Sequence, residues 1–389
     1  MKIKLGLLSK IIIAIALGIA FGFFFPTWAV RIFTTFNGIF SQLLGFFVPL
    51  IILGFVAPAI FGLKEQAGKM LLLTVVLSYV STCLSGTLSY LTSSTVFPHL
   101  ISGSDPVSLD AAGKEFAPFF EMKIPPMLDV IGAIVLAFAL GLAASFIKGH
   151  ALRDVLTDFK DVIELVVAKL IVPLLPLYIF GVFLNMTASG NVAAVMGLFV
   201  KVIALVIVMH ICWLIILFCI GGAVSGKNPF KLLKNMLPSY LTALGTQSSV
   251  ATIPVNLKQV KTLGVSEEVS DFVVPLCATI HMSGSILQIT AFSVALMIMQ
   301  QLPFTFGLFI GFILMLAVVA VASPGVPGGA IMAALGVLSS ILGFSPENQA
   351  LMISLYIAVD SFGTATNVTG DGVIALIVEK FRKKEVQEA

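Results

Sequence analysis

Charge is what this chain of 389 residues has least of. Lys, Arg, Asp and Glu together make up 11% of it, against 59% hydrophobic residues. A soluble domain carries about 25% charged residues, and a mean hydropathy of +1.11 leaves too much apolar side chain for water to tolerate. The lipid bilayer must therefore act as solvent. Cysteine is scarce as well. Cys83, Cys212, Cys219 and Cys277 fall singly inside apolar stretches with no CxxC spacing, which speaks against disulfide, zinc or iron–sulfur chemistry and leaves free thiols. No HExxH spacing or nucleophile–base pairing is present, so enzyme activity is not expected. The formal net charge of +3 says little by itself, and no nucleic-acid partner is expected. A third absence is local: no lysine or arginine occurs between Lys261 and Lys380. That long stretch lacks the planar guanidinium suited to gripping a carboxylate at two points.

What is present is a series of long apolar runs. A spanning helix needs about 20 mostly apolar residues, and eight runs qualify: roughly 10–30, 38–62, 70–95, 127–148, 162–186, 193–223, 269–299 and 350–379. Helices must dominate, because backbone polar groups in lipid are satisfied within the segment. The start, with Lys2, Lys4 and Lys10 before an apolar run, has the look of a signal peptide. However, the run continues through Phe23–Phe25 without a convincing cleavage site, so it is read as a first transmembrane helix.

Lysine and arginine set the orientation. Lys2, Lys4, Lys10, Lys64, Lys69, Lys148, Arg153, Lys160, Lys169, Lys380, Arg382, Lys383 and Lys384 fall on one side of the eight spans. Arg31, Lys114 and Lys123 fall on the other, with Lys201 just inside a span. Both termini are then cytoplasmic. A multi-pass protein of a prokaryotic inner (plasma) membrane is the expectation, from the compact chain and its bare ends.

Two further apolar stretches, 228–257 and 304–343, are interrupted. The first has Lys227, Lys231 and Lys234 at one end and Lys258 and Lys261 at the other. Both ends are therefore cytoplasmic, and the segment must enter the membrane and turn back at its polar centre, Leu244–Pro254. The second has no basic residue on either flank, and its centre, Ser323–Gly329, holds two prolines and three glycines. Such irregular backbone is tolerated at membrane depth only where it is buried in protein or lines a cavity. Paired broken segments at corresponding places point to the binding site of a secondary transporter. The alternative is two kinked ordinary helices and ten spans, which strands Gln247, Ser248 and Ser249 in lipid or packing.

Ionisable residues inside spans are costly and default to function. The last span holds Asp360 and Asp371, and positions 360, 364, 367 and 371 share one helix face. That face is Asp, Thr, Asn, Asp: acceptors for an ammonium or a bare cation, plus a neutral donor for a carboxylate. Span seven carries His281-Met282-Ser283-Gly284-Ser285, where His281 is a candidate proton site because imidazole titrates near neutral pH. His210 has no such company and reads as structural. Ser81 and Thr82, next to Tyr79, offer hydroxyl oxygens to a cation site.

The order of a Ser-Ser…Thr-x-Pro-Val tip (Ser248 to Val255), a broken helix, the Gly325–Gly329 tip and Asn367-Val368-Thr369-Gly370-Asp371 resembles the dicarboxylate/amino acid:cation symporters, the glutamate transporter homologues. The likeness covers the whole chain in topology, with its specific motifs within 245–371. It implies an all-α membrane fold of eight transmembrane helices plus two opposed re-entrant hairpins, at 228–257 and 304–343, in a homotrimer working by an elevator mechanism. Scaffold helices would lie at 1–62 and 123–186, transport-domain helix three at 70–95, the transport core at 193–379 and a cytoplasmic tail at 380–389. By motif match, Asp360 holds the substrate ammonium and Asn367 its α-carboxylate. Thr364 and Ser285 bond polar substrate atoms, and Ser249 with Val326–Gly328 caps the site. Sodium is implied at Asn367 and Asp371, and a second sodium at Thr279, Met282 and Ser323.

Three departures from the family pattern are visible. Gly363 stands where acidic-substrate members have arginine. The usual Asn-Met-Asp-Gly-Thr is His281-Met282-Ser283-Gly284-Ser285 here, which removes an asparagine and an aspartate that helps bind a further sodium, with only Ser81 and Thr82 nearby to compensate. The expected activity is symport of a small neutral, zwitterionic amino acid, coupled to one or two sodium ions or to a proton, with no other cofactor. A dicarboxylate or acidic amino acid symporter is the alternative within transport, and a passive anion channel is the alternative outside it.

Overall fold

The computed structural model describes residues 6–65, 68–101, 116–190, 192–321, 323 and 328–388. Lys2, Lys4, Lys114, Val326 and most of the Ser323–Gly329 tip therefore lie outside the described residues. The described residues form helices and no strand. In chain order these are α1 (Leu7–Gly22), α2 (Thr27–Glu65), α3 (Lys69–Ile101), α4 (Val130–Phe146) and α5 (Ala151–Val166). A π-helical turn over Val167–Ile171 joins α5 to α6 (Val172–Ala188). Then come α7 (Val192–Ser225), α8 (Pro229–Thr246), α9 (Ser249–Thr262), α10 (Glu267–Ile280), α11 (Ser283–Met299), α12 (Phe306–Ala320), α13 (Gly329–Leu342) and α14 (Pro346–Glu388).

Six stretches among the described residues are long and apolar enough to cross a membrane: Thr27–Gly62, Lys69–Leu100, Ala151–Ala188, Val195–Ser225, Glu267–Met299 and Pro346–Arg382. Leu7–Gly22, Val130–Phe146, Phe306–Ala320 and Gly329–Leu342 are shorter apolar helices. Several helices outrun their expected spans, because bilayer thickness limits the apolar run and not the helix. The first span was expected to run to residue 30, yet Thr27–Val30 open α2. Pro26 fixes its own φ and starts a helix more readily than it continues one, and its carbonyl accepts from Ala29 and Val30 N–H at 2.9 and 3.2 Å. The π turn lies just ahead of Pro173 and Pro176, where missing N–H donors and ring clashes disturb the regular ladder.

Two groups of helices emerge from the packing. In one, α2 packs on α4, α5 and α6, and α1 packs on α6. In the other, α3 packs on α11 and α12, and α14 packs on α7, α8, α10 and α11, while α8 pairs with α9 and α12 with α13. The groups meet chiefly where α13 touches α2 and where α14 touches α1 and α6. In an 18-residue apolar window of α10–α11, 89% of residues are buried, and 83% in α14; the other four long stretches reach 33–50%. The helices carrying the polar motifs are thus the central ones, and their hydroxyls, amides and carboxylates are shielded from lipid by the rest.

Candidate substrate and cation site

Three helix breaks surround one cavity of about 500 Å³. The first is the α8–α9 turn. Gln247 adopts a left-handed conformation with φ 53°, and Ser248 caps α9 by accepting from the Ala251 N–H at 3.2 Å. The second separates α10 from α11 at His281 and Met282. The third is the α12–α13 tip, of which Val321, Ser323, Gly329 and Ala330 line the cavity. Each break leaves a helix N-terminus, of α9, α11 or α13, with N–H groups free of intrahelical partners and a partial positive charge.

Helix α14 supplies the partners. The Asn367 side-chain oxygen accepts from the backbone N–H of Gly284 at 2.7 Å and of Ser285 at 3.4 Å, so it caps α11. Its amide donates to Ser285 Oγ at 3.0 Å and faces Met282 sulfur at 3.6 Å. Ser285 Oγ also accepts from the Tyr356 hydroxyl at 3.1 Å. One Asp360 carboxylate oxygen accepts from the Gly328 N–H at 2.8 Å, at the start of α13. Such close packing of α11 on α14 requires a glycine. A Cβ on Gly284 would lie 2.4 Å from the Gly363 carbonyl oxygen.

Most of the residues expected from sequence come together here. Ser249, Thr279, Met282, Ser285, Ser323, Asp360, Thr364 and Asn367 all line the cavity. Gly328 joins through its N–H bond to Asp360, and Val326 lies outside the described residues. Five others sit elsewhere, among them His281 at the α10–α11 break. Gly363 is not on the cavity wall; a Cβ there would meet the Gln288 amide at 2.8–3.0 Å. Asp371 is buried one helix turn beyond Asn367, 2.9 Å from His281 Nδ1. Ser81 Oγ lies 2.9 Å from His281 Nε2, and Thr82 Oγ1 accepts from the Met282 N–H at 3.3 Å.

Sequence reading missed several contributors. Ser85 and Ser89 donate to the Ser283 and Leu287 carbonyls at 2.7 and 2.6 Å, tying α3 to the start of α11. The three-to-four-residue spacing of Ser78, Ser81, Thr82, Ser85 and Ser89 was the available signal. Asn256 of α9 donates to the Val368 carbonyl at 3.1 Å and to Asp371 Oδ2 at 3.4 Å. His210 fits its structural reading, with ring nitrogens 2.8 Å from the Val206 carbonyl and 3.1 Å from that of Gly284. Lys160 and Glu164 of α5 also line the cavity, which places a cation beside a region whose own sequence has none.

The sequence profile of the sodium:dicarboxylate symporter family matches residues 7–381. A serine/threonine transporter of Acinetobacter baylyi is 28% identical over 98% of this chain and 98% of its own length. Excitatory amino acid transporter 1 of Ambystoma tigrinum is 27% identical over 67% of this chain, a match that spans 48% of that longer protein. An excitatory amino acid transporter of Caenorhabditis elegans is 25% identical over 75% of this chain and 59% of its own length.

Proposed function

The chain belongs to the sodium:dicarboxylate symporter family, and from that premise we propose that it is a cation-coupled symporter of a small neutral amino acid, with serine and threonine the first substrates to test. The observation that carries this reading is the meeting of Asp360, Thr364 and Asn367 with three helix breaks around a single cavity. Asp360 holds the substrate ammonium. The N-termini of α9, α11 and α13, together with the Asn367 amide, favour the carboxylate. Ser285 and Thr364 bond polar substrate atoms, and Ser249 and the α12–α13 tip close over them. The serine/threonine transporter, aligned along nearly its whole length, supports a small hydroxylated substrate.

In this reading the pairs α8–α9 and α12–α13 are re-entrant hairpins that complete an eight-span fold with both termini cytoplasmic. The α1, α2, α4, α5 and α6 group is the scaffold of a homotrimer, and the other group is an elevator-type transport domain. Support comes from the helix packing, in which α2 gathers α4, α5 and α6 while α14 gathers α7 to α11. The cavity lies at the seam, since Phe55 and Pro58 of α2 share its wall with Asp360.

Lys160 on the cavity wall favours a second reading, in which a dicarboxylate or acidic amino acid is carried and its extra carboxylate meets this ammonium. Uptake into proteoliposomes under imposed sodium or proton gradients decides between them. Accumulation of serine or threonine, uncompeted by aspartate or succinate, supports the first reading. Competition by acids that is lost in Lys160→Ala supports the second. Flux without accumulation against a gradient would sink symport altogether.

A further inference from the structure

The His281 imidazole bridges α3 and α14. Its Nδ1 lies 2.9 Å from Asp371 Oδ1, and its Nε2 lies 2.9 Å from Ser81 Oγ. Ring and carboxylate are both sealed, with side-chain exposures of 0% and 1%. An ionised Asp371 only accepts hydrogen bonds, and Nδ1 then carries the hydrogen; the Ser81 hydroxyl can rotate to suit Nε2. The second Asp371 oxygen accepts from Asn256 at 3.4 Å. The ring also has a niche built for it. Gly370 presents no side chain, and a Cβ there would lie 2.7 Å from His281 Cε1.

Sodium at Asn367 and Asp371 fits this arrangement poorly. A hard cation takes oxygen lone pairs at about 2.3–2.6 Å, which keeps its ligands within about 5 Å of one another. Both Asp371 oxygens already have partners, His281 at 2.9 Å and Asn256 at 3.4 Å. The Asn367 oxygen already accepts two backbone N–H groups, of Gly284 and Ser285. Position 283, beside the histidine, is a serine and supplies no carboxylate; its buried hydroxyl finds no hydrogen-bond partner among the described residues.

We propose that His281 takes the place of a sodium ion at Asp371: a tethered donor supplies to the carboxylate what a diffusible cation would otherwise supply. The chain then binds one sodium fewer than a site with oxygen ligands at positions 281 and 283 would, and any sodium it uses is held at the cavity. The inference deepens the symport reading and rests on it only for the role of the remaining cation.

The test is equilibrium binding, read as the slope of Tm against the logarithm of sodium concentration at constant ionic strength. A ligand that binds only the folded state raises its stability with the logarithm of concentration, and each additional ion steepens the slope. His281→Asn/Ser283→Asp should gain a slope steeper by one ion than wild type. Asp371→Asn in the wild-type background should leave the sodium slope where it was, since an amide oxygen still accepts from Nδ1. Equal slopes in wild type and the double variant overturn the proposal, and so does a flattened slope in Asp371→Asn. Either variant suffices should the other fail to fold. Uptake assays on the same preparations keep the two readings separate: loss of all accumulation with the expected slopes sinks symport alone, whereas normal accumulation with equal slopes sinks the sodium replacement alone.

Discussion

Asp360 accepts a hydrogen bond from the Gly328 N–H at 2.8 Å, so the carboxylate expected to hold a substrate ammonium also caps the N-terminus of α13. The tip of α12–α13 is thereby tied to the last long helix through a residue proposed to bind substrate. A ligand ammonium at Asp360 would bind the same carboxylate that holds the Gly328 N–H, which links binding to the position of the tip.

Asp360→Asn separates these two roles. An amide oxygen still accepts from the Gly328 N–H, but the charge that meets an ammonium is gone. Truncating one member of a buried charged hydrogen bond costs about 2–5 kcal/mol, or roughly thirty- to several-thousand-fold in affinity. The substrate-induced rise in Tm should disappear in Asp360→Asn while the unliganded Tm stays close to wild type. A variant that still responds to substrate would remove Asp360 from the site.

Gly328→Ala tests the tip itself. Gly328 has φ +78° and a Cβ there would sit 3.5 Å from Ile357, an ordinary contact, so the penalty is one of backbone and not of space. A left-handed conformation costs a residue with a Cβ about 1–2 kcal/mol. The expected result is a lower Tm, with faster amide exchange at the start of α13.

Gly363→Arg would install the guanidinium that the family resemblance associates with acidic substrates, but the structure predicts failure of the single change. The new Cβ would lie 2.8 Å from Gln288 Oε1, and Gln288 is fully buried. Gly363→Arg alone should lower Tm and abolish uptake. Gly363→Arg/Gln288→Ala should recover folding and let aspartate compete for uptake. Full recovery without any gain in acid competition would show that position 363 does not set specificity.

At the far end of α14, Glu379 is 4% exposed and accepts from the Ser266 N–H at 3.1 Å and the Ser266 hydroxyl at 2.6 Å. Arg382 donates to Ser266 Oγ at 3.1 Å and pairs with Glu268. These bonds staple the start of α10 to α14. Leaving a buried group unsatisfied costs about 1–3 kcal/mol, so Glu379→Ala should lower Tm measurably. Sodium and substrate responses should persist, because the staple lies at the opposite end of α10 from the break at His281.

Legible in the chain alone were the class, the helical content and eight residues of the cavity wall. Apolar runs of about 20 residues span lipid as helices, and a residue at membrane depth that is neither apolar nor cheap to bury advertises a cavity. Asp360, Thr364 and Asn367 were legible because helical periodicity is a local property of the chain. So were the two broken segments, because proline, glycine and flanking lysines are local signals as well. Tertiary structure decided the pairings. Asp371, placed by periodicity on the face of Asp360, turns out to bond His281, 90 positions away in sequence. Gly363 faces Gln288 and not the cavity, and Lys160 reaches the site from another group of helices. None of these follows from spacing along one helix, because a side chain's partner depends on which neighbouring helix packs against it and at what height. That is set by the fit of whole surfaces, such as the glycine contact between α11 and α14.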